Sequence, residues 1–227
     1  RRQRQMCIRD RDPTGGLELK FTGAYGEAAL RSPMWGGFNA ENLLVAAGIL
    51  IAQGYSLDEV VAAMDAGSVP PGRLEVIKGA TDDPVVIVDF AHTPDALAQA
   101  LETVRAHISG KLICVFGCGG ERDEGKRAQM GKIAAELADH VVVTSDNPRF
   151  EDPRAIIAAI LAGVGDGASV EVEADRAAAI RMAVASAGAG DAVLVAGKGS
   201  ENYQLIEDRK ETFSDRDVAA DALGVAA

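Results

Sequence analysis

The chain of 227 residues is poor in aromatic side chains, which make up 4% of it, and in cysteine, of which it has three. Three scattered cysteines argue against a disulfide framework and fit a reducing compartment. No run of about 18 apolar residues occurs, which excludes a transmembrane helix. No basic-then-apolar signal segment is present, so we expect a cytoplasmic protein. Apolar residues nevertheless reach 48%, enough for a sizeable core of Ala, Val, Ile and Leu.

Basic side chains are fewer than acidic ones, at 23 against 34, which gives a net charge of −11. A chain this acidic disfavours non-specific binding to nucleic acid or to a membrane surface, because both are negatively charged. We therefore expect no nucleic-acid partner and no membrane partner. Separately, we expect a monomeric protein that acts on small-molecule substrates.

The basic residues are unevenly spread, since residues 1–11 hold five arginines and one aspartate. A basic head can serve as a nucleic-acid arm, but this one has no aromatic residue and no apolar period. Its segment QMCIRDR resembles the translated read-through of a sequencing adaptor. We therefore expect residues 1–11 to be a non-native leader, with the natural chain continuing upstream, and exclude them from fold reasoning.

Familiar nucleotide and metal signatures are also missing. GCGG at 117–120 lacks the G-x-G-x-x-G spacing, and GKG at 197–199 lacks the Ser or Thr and the preceding glycine of a P-loop. Cys114 and Cys118 have no paired second cluster, so we expect core cysteines rather than a metal site. No Ser-His-Asp arrangement is evident.

The first third of the chain predicts a hairpin and two helices. Residues 15–31 alternate around glycine turns, which is typical of a β-hairpin. Apolar residues at helical spacing predict a buried helix over 40–53, and a capping box that starts at Ser56 predicts a second helix over 57–66. The Pro- and Gly-rich stretch 67–72 is the best domain boundary.

After this boundary, short apolar runs alternate with helical stretches. Near-continuously apolar strands between helices are typical of a parallel sheet that helices cover on both faces, so we predict a doubly wound α/β fold. The predicted strands are 85–90, 111–116, 140–145, 169–173 and 191–196. The predicted helices lie near 95–107, 126–137, 153–162 and 175–187.

Polar side chains follow all five predicted strands. Ligands of open α/β sheets bind outside the carboxyl ends of the strands, so this edge is the predicted site. Gly117, Gly119 and Gly120 precede the clustered cations Arg122, Lys126 and Arg127. We expect the glycines to allow close backbone approach to a ligand, and the cations to suit phosphate or carboxylate.

Six strings then occur in order: GGFNAEN, PGRLEV, VDFAHTPD, FGCGGERDEGKR, DNPR and VLVAGKGSENYQ. Together they resemble the Mur ligase family over about residues 12–224, and within it the members that add a diamino acid. The resemblance implies a Rossmann-like, mostly parallel C-terminal domain over 73–227. Residues 12–72 would be the tail of the family's central α/β P-loop ATPase domain, whose G-T-x-G-K-T loop and modified lysine would lie upstream.

The resemblance also implies ATP-dependent amide formation. ATP would phosphorylate the D-glutamate carboxylate of UDP-MurNAc-L-Ala-D-Glu, and the amine of meso-2,6-diaminopimelate would attack the acyl phosphate. Mg²⁺ would neutralise the phosphates, and positioning and charge stabilisation would supply most of the catalysis. Both cofactors would bind mostly upstream, so we expect no catalytic residue and no activity in this chain alone.

By motif match, the implied ATP-binding residues are Asn39, Asn42, Arg73, Asp89, His92 and Lys126. The two asparagines would lie near adenine, and Lys126 would face the phosphates. The alternative roles are a helix N-cap for the asparagines, for Asn39 more than for Asn42, and an ordinary turn histidine for His92.

The implied substrate residues are Arg122, Asp146, Asn147, Arg149, Gly197 and Glu201. meso-Diaminopimelate carries a distal carboxylate that L-lysine lacks, and a guanidinium such as that of Arg149 binds carboxylate bidentately and repels ammonium. The Gly197 carbonyl and Glu201 would accept from the ligand's ammonium. Alternatively, Asn-Pro is a strand-exit turn and Arg149 a solvated charge.

Three positions depart from the family pattern: Phe90 replaces Tyr, Ser200 replaces His, and Asn202 replaces Asp. Glu201 is retained, so we expect the pocket to survive. Three other interpretations remain open: an L-lysine-adding member of the family, a non-enzymatic Mur-like binding module, and an ordinary dinucleotide-binding domain. The missing G-x-G-x-x-G disfavours the last of these.

Overall fold

A computed structural model describes residues 5–10 and 16–225. Its contacts divide the chain into two compact units, Arg1–Val69 and Pro70–Ala227. Residues 1–4 and 11 of the expected leader lie outside the described residues, and the assignment of this segment as non-native stays a prediction. None of the described helices has both the length and the apolar character needed to cross a bilayer.

The first unit contains a three-stranded antiparallel sheet and two helices. Its elements are β1 (Gln5–Asp10), β2 (Leu17–Gly23), β3 (Gly26–Ser32), α1 (Gly37–Ala52) and α2 (Leu57–Asp65). The predicted hairpin is confirmed as β2 and β3, which turn between Gly23 and Gly26. The sequence analysis did not anticipate β1, which pairs antiparallel with β2.

Both predicted helices of this unit are present, but α1 begins earlier than expected. Gly36 is its N-cap, with a φ of 88°. Asn39 lies inside the helix and donates from Nδ2 to the Trp35 carbonyl at 2.7 Å. The N-cap role considered for Asn39 is therefore wrong. The capping box of α2 is confirmed, since Ser56 and Glu59 each accept from the other's backbone amide.

The core of the first unit lies between the sheet and one face of each helix. Alternate residues of β2 join residues of α1 and α2 in it, among them Leu17, Leu19, Leu43 and Val60. We expected α1 to be buried, and this is wrong for its other face, where Val45 is 62% and Ile49 is 55% exposed. The assignment of this unit to an ATPase domain stays a prediction.

The second unit is built on a six-stranded sheet of order β4-β5-β9-β6-β7-β8. The five predicted strands are all present and pair in parallel, and only β4 is antiparallel. The sheet strands are β4 (Glu75–Ile77), β5 (Val85–Asp89), β6 (Leu112–Phe116), β7 (His140–Val143), β8 (Val170–Val172) and β9 (Ala192–Ala196). The mostly parallel α/β prediction is therefore confirmed.

Helices cover both faces of this sheet. The four predicted helices are α3 (Pro94–His107), α4 (Gly125–Leu137), α5 (Pro153–Leu161) and α6 (Arg176–Ser186). Alternate strand residues such as Val86, Val115 and Val193 pack against α6 and a seventh helix, α7 (Asp215–Ala222). The intervening, equally buried residues face the opposite side, where α3 and α4 contact the sheet.

Four elements of the second unit escaped the sequence analysis. They are β4, the antiparallel hairpin of β10 (Tyr203–Ile206) and β11 (Arg209–Thr212), and α7. These segments are short, and β11 is exposed along its whole length. They therefore carry little of the apolar periodicity on which such predictions depend.

A buried ion pair joins α6 to α7. Arg176 Nε lies 2.7 Å from Asp215 Oδ1, and neither side chain is exposed. The same guanidinium donates to the carbonyl of Ser145, which follows β7, and to the carbonyl of Ala196, the last residue of β9. Burial disfavours the charge, but the Asp215 carboxylate outweighs this effect and holds the pKa of Arg176 above its ordinary value.

Replacing Asp215→Asn should destabilise the second unit by about 3–5 kcal/mol, because Arg176 would keep its charge without its partner. Native-state hydrogen exchange at the β9 amides measures this unit specifically. Asp217→Asn is the matched control, since Asp217 is exposed in the same helical turn and should change stability by less than about 0.5 kcal/mol. Equal effects of the two substitutions would contradict the role given to the pair.

Candidate functional site

A cavity of about 410 Å³ opens at the carboxyl ends of β5, β6, β7 and β9. This is the edge at which open α/β sheets bind ligands. Its lining residues are Phe90, His92, Thr93, Gly117, Cys118, Gly119, Arg122, Asp123, Lys126, Asp146, Asn147, Arg149, Gly197 and Glu201.

The cavity gathers most of the residues that the sequence analysis singled out. All six of the substrate residues line it, together with His92 and Lys126 from the ATP set. Arg73 and Asp89 are not among its lining residues, and Asn39 and Asn42 lie on α1 in the first unit. The functions implied for all of these residues stay predictions.

The Asp89 carboxylate accepts hydrogen bonds from two backbone amides. Its Oδ2 accepts from the Leu74 amide at 2.7 Å, and its Oδ1 accepts from the Ala91 amide at 2.8 Å. Burial raises the pKa of Asp89, against the opposing effect of these amides and of Arg73. Arg73 lies over the Phe90 ring at 4.8 Å, so the Phe at this position is a cation–π partner.

Two of the glycines after β6 are required by the protein's own packing. A Cβ at Gly117 would collide with the Thr144 carbonyl, and one at Gly120 with the Pro148 carbonyl. Both let the 117–122 loop pack directly on the loop after β7, where Gly120 N donates to Asn147 O at 2.9 Å. Gly117 and Gly119 also line the cavity, and the close backbone approach to a ligand expected of the glycines stays a prediction.

A buried salt bridge reinforces this contact between loops. Arg127 is 4% exposed, and its Nη2 lies 3.0 and 2.8 Å from the two carboxylate oxygens of Glu151. Glu151 also accepts from the Glu121 amide. This amide and Arg127 hold the pKa of Glu151 below its ordinary value. Glu121 precedes Arg122, so the bridge positions the backbone that carries one of the cavity's cations. Arg127 itself is paired inside the protein and is not among the lining residues, so the expectation that it serves a ligand is wrong.

Arg149 is held in an uncommon backbone conformation. Its φ is 53°, a left-handed value that costs a non-glycine residue about 1–3 kcal/mol and needs support from its surroundings. The support comes from β10, since Arg149 N donates to Leu205 O at 3.0 Å and Glu207 N donates to Arg149 O at 2.8 Å. Its Nη1 donates to Gly120 O at 2.7 Å, which fixes the guanidinium at the cavity wall.

Lys198 is a site residue that the sequence analysis missed. It is fully buried, and its Nζ donates to Asn147 Oδ1 and to Glu201 Oε2, both at 3.0 Å. The available signal was a lysine between two glycines directly after an apolar strand. The string does not match a P-loop, but its lysine is a buried cation that donates to two residues lining the cavity.

The cavity presents charges of both signs. Arg122, Lys126 and Arg149 line it together with Asp146 and Glu201, and Lys126 Nζ also donates to the His92 carbonyl at 2.8 Å. Such a site can bind a ligand that carries both carboxylate and ammonium groups. No group of three or more His, Cys, Asp or Glu residues suited to a metal ion occurs in the described part of the chain.

The fold and the cavity define the second unit as an α/β ligand-binding domain. A family model described as "Mur ligase, glutamate ligase domain" matches residues 72–199. This match covers more than half of the chain, which therefore belongs to the Mur ligase family.

Curated relatives of high similarity share one name, "UDP-N-acetylmuramoyl-L-alanyl-D-glutamate--2,6-diaminopimelate ligase". The protein from Gloeobacter violaceus is 52% identical over 208 residues, which cover 92% of this chain and 42% of that protein. The protein from Synechococcus elongatus is 52% identical over 211 residues, which cover 93% and 42%. The chain thus spans less than half the length of these relatives.

Solved structures agree with the family assignment. A diaminopimelate ligase of the same name is 39% identical with a TM-score of 0.70, over 96% of this chain and 44% of that one. A folylpolyglutamate synthase from Mycobacterium tuberculosis has a TM-score of 0.68 over 84% of this chain and 44% of that one, at 23% identity. The second likeness supports the fold alone.

Cys118 should react slowly with thiol reagents although it lines the cavity. Cys114 and Cys118 are both buried and free, as predicted for core cysteines. Burial raises the pKa of Cys118 to about 11, against the opposing effect of Lys126. At pH 8 about one thiol in a thousand is then ionised, and labelling should accelerate about tenfold for each added pH unit.

Mass spectrometry of a Cys7→Ser variant treated with an aromatic disulfide reagent gives the rate at Cys118. The same variant in urea is the control and should label at the rate of an ordinary thiol. A native rate at pH 8 equal to the urea rate would contradict the burial described for this residue.

Proposed function

We propose that this chain is part of an ATP-dependent ligase that adds meso-2,6-diaminopimelate to UDP-MurNAc-L-Ala-D-Glu in the cytoplasm. The observation that carries the proposal is a fixed guanidinium, Arg149, in the same cavity as the Glu201 carboxylate. The distal end of meso-diaminopimelate carries one carboxylate and one ammonium, which match these two groups in sign.

The hydrogen-bonding capacity of Arg149 supports this assignment. Nη1 donates to the Gly120 carbonyl at 2.7 Å and to the Asn147 carbonyl at 3.5 Å, and a guanidinium has five N–H groups in a planar fork. The remaining N–H groups can bind the two oxygens of a carboxylate at once, which the ammonium of a lysine at this position would do less well. L-lysine would bring only an ammonium to this region, so the geometry favours meso-diaminopimelate over an L-lysine-adding function.

The reaction assigned to the whole ligase proceeds in two steps. The D-glutamate carboxylate takes the γ-phosphoryl group of ATP and releases ADP. The amine of meso-diaminopimelate then attacks the acyl carbon, forms the amide bond, loses a proton and expels phosphate. The role of this chain is to hold the amino acid in position for that attack, which is a large part of catalysis in such reactions.

ATP and Mg²⁺ enter the proposal as cofactors of the whole ligase. Lys126 and His92 would contact the phosphates, and Arg73 and Asp89 would shape the approach to them. Asn39 and Asn42 would lie near adenine. Mg²⁺, when bound, neutralises phosphate charge. No group of three His, Cys, Asp or Glu side chains suited to hold it occurs among the described residues.

A non-enzymatic binding module is the second candidate. In it, a Mur-like domain would bind a small charged ligand in this cavity without taking part in catalysis. The nucleotide sequence upstream of residue 12 distinguishes the two candidates. An upstream reading frame that encodes a P-loop supports the ligase. A start codon near residue 12 supports the module.

The purified chain should hydrolyse no ATP, because it lacks a P-loop to hold the phosphates. A coupled phosphate-release assay with ATP and Mg²⁺ measures this directly. The same assay with an added polypeptide that carries the upstream domains, with substrates present, is the positive control. Phosphate release by the 227-residue chain alone would contradict this division of labour.

Calorimetry should show tighter binding of meso-diaminopimelate than of L-lysine to this chain. The conservative change Arg149→Lys should weaken meso-diaminopimelate binding by about 10- to 100-fold, because the planar fork is lost while the charge is kept. L-lysine binding should change less.

Arg154→Lys is the matched control for Arg149→Lys, because Arg154 is an exposed arginine five residues further along the chain. Its affinity should equal that of the unmodified protein. Preference for L-lysine, or equal effects of the two substitutions, would contradict the assigned substrate.

A further inference from the structure

The Lys198 ammonium is a buried charge that contacts two of the residues lining the cavity. Its residue is fully buried, and burial of an ammonium is costly unless it is paired and hydrogen-bonded. It lies 3.0 Å from Glu201 Oε2 and 3.0 Å from Asn147 Oδ1. It also lies over the Tyr203 ring at 5.6 Å. An ammonium has three donors and no acceptor, so each of these neighbours must present an electron-rich group to it.

This contact fixes which way the Asn147 amide points. Its Oδ1 accepts from Lys198 Nζ and also from the Leu205 amide at 2.9 Å. A flipped amide would turn its NH₂ group toward both of these donors, and neither bond could form. Nδ2 therefore points to Glu201 Oε2 at 3.0 Å, and its second N–H is left for a ligand in the cavity.

Lys198 and Asn147 both bind the same oxygen of the Glu201 carboxylate, so its two oxygens have different roles. Oε2 accepts from both Lys198 and Asn147. Oε1 accepts no hydrogen bond from the described residues, and Glu201 lines the cavity. Asn147 is thus offered to a ligand as a donor and Glu201 as an acceptor.

We propose that Lys198 is a positioning residue that sets the selectivity of the cavity by locking Asn147 as a donor beside Glu201 as an acceptor. A ligand that ends in both a carboxylate and an ammonium satisfies this arrangement, whereas one that ends in an ammonium alone leaves the Asn147 donor unpaired. The identity of that ligand as meso-diaminopimelate rests on the proposed function. The locked orientation of the amide does not.

The first test measures the lock in the ligand-free 227-residue protein by NMR. Lys198→Met removes the ammonium and keeps an unbranched apolar side chain. The Asn147 side-chain amide protons should then exchange with water about tenfold faster or more, because Oδ1 keeps only the Leu205 amide as a donor and the side chain leaves its place more often. Lys210→Met is the matched control, since Lys210 is exposed and also contacts the Tyr203 ring, at 3.9 Å. Unchanged exchange in Lys198→Met would overturn the proposal.

The second test measures selectivity by calorimetry with meso-diaminopimelate and L-lysine. Lys198→Met should weaken meso-diaminopimelate binding by about tenfold or more and narrow its advantage over L-lysine. With one of the two donors to Oδ1 removed, the amide can turn to accept from either ligand's ammonium at the loss of only the Leu205 bond. Lys210→Met should leave both affinities and their ratio unchanged. A purely structural role would weaken both ligands equally and keep the ratio, and that result would overturn the proposal.

A variant that fails to fold does not end the test. In the unmodified protein, the Lys198 ammonium protons should exchange slowly, since they are buried and bonded, and those of Lys210 should exchange fast. Equal exchange at the two lysines would overturn the proposal. If the unmodified protein binds neither amino acid, the proposed function fails. The exchange rates of the Asn147 amide protons and of the Lys198 ammonium protons still test the lock, because neither measurement needs a ligand.

Discussion

The buried Arg176 guanidinium is the interaction on which the second unit and its cavity both depend. It pairs with Asp215 of the last helix and donates to the carbonyls of Ser145 and Ala196. Those carbonyls directly precede Asp146 and Gly197, which line the cavity. One charge therefore joins the covering helices to the ends of two strands. Because the pair lies in the core, the geometry of the cavity edge is tied to the stability of the whole unit.

The cavity is made by loops that support one another rather than by any one motif. Gly117 and Gly120 allow the loop after β6 to touch the loop after β7, and Arg127 with Glu151 closes the contact. β10 then holds the second loop from the other side. Polar groups that would be strained or unpaired alone satisfy each other, which is the condition for a precise buried network.

The parts of the fold that repeat a local pattern were predictable from the sequence. Apolar runs gave the five parallel strands, and the polar residues after them located the cavity. The missed parts depend on contacts distant in sequence. Lys198 meets Asn147 across 51 positions, and the strand β10 is only four residues long. The glycines after β6 were recognised as special, but only the folded loops reveal that a neighbouring carbonyl requires them.

The left-handed backbone at Arg149 has a consequence for how this sequence can be altered. Glycine is the residue that tolerates such a conformation best, so a selection for thermal stability alone would be drawn to Arg149→Gly. That change would remove the guanidinium from the cavity. The position therefore sets relief of backbone strain against loss of a cation that lines the cavity and donates to the Gly120 carbonyl.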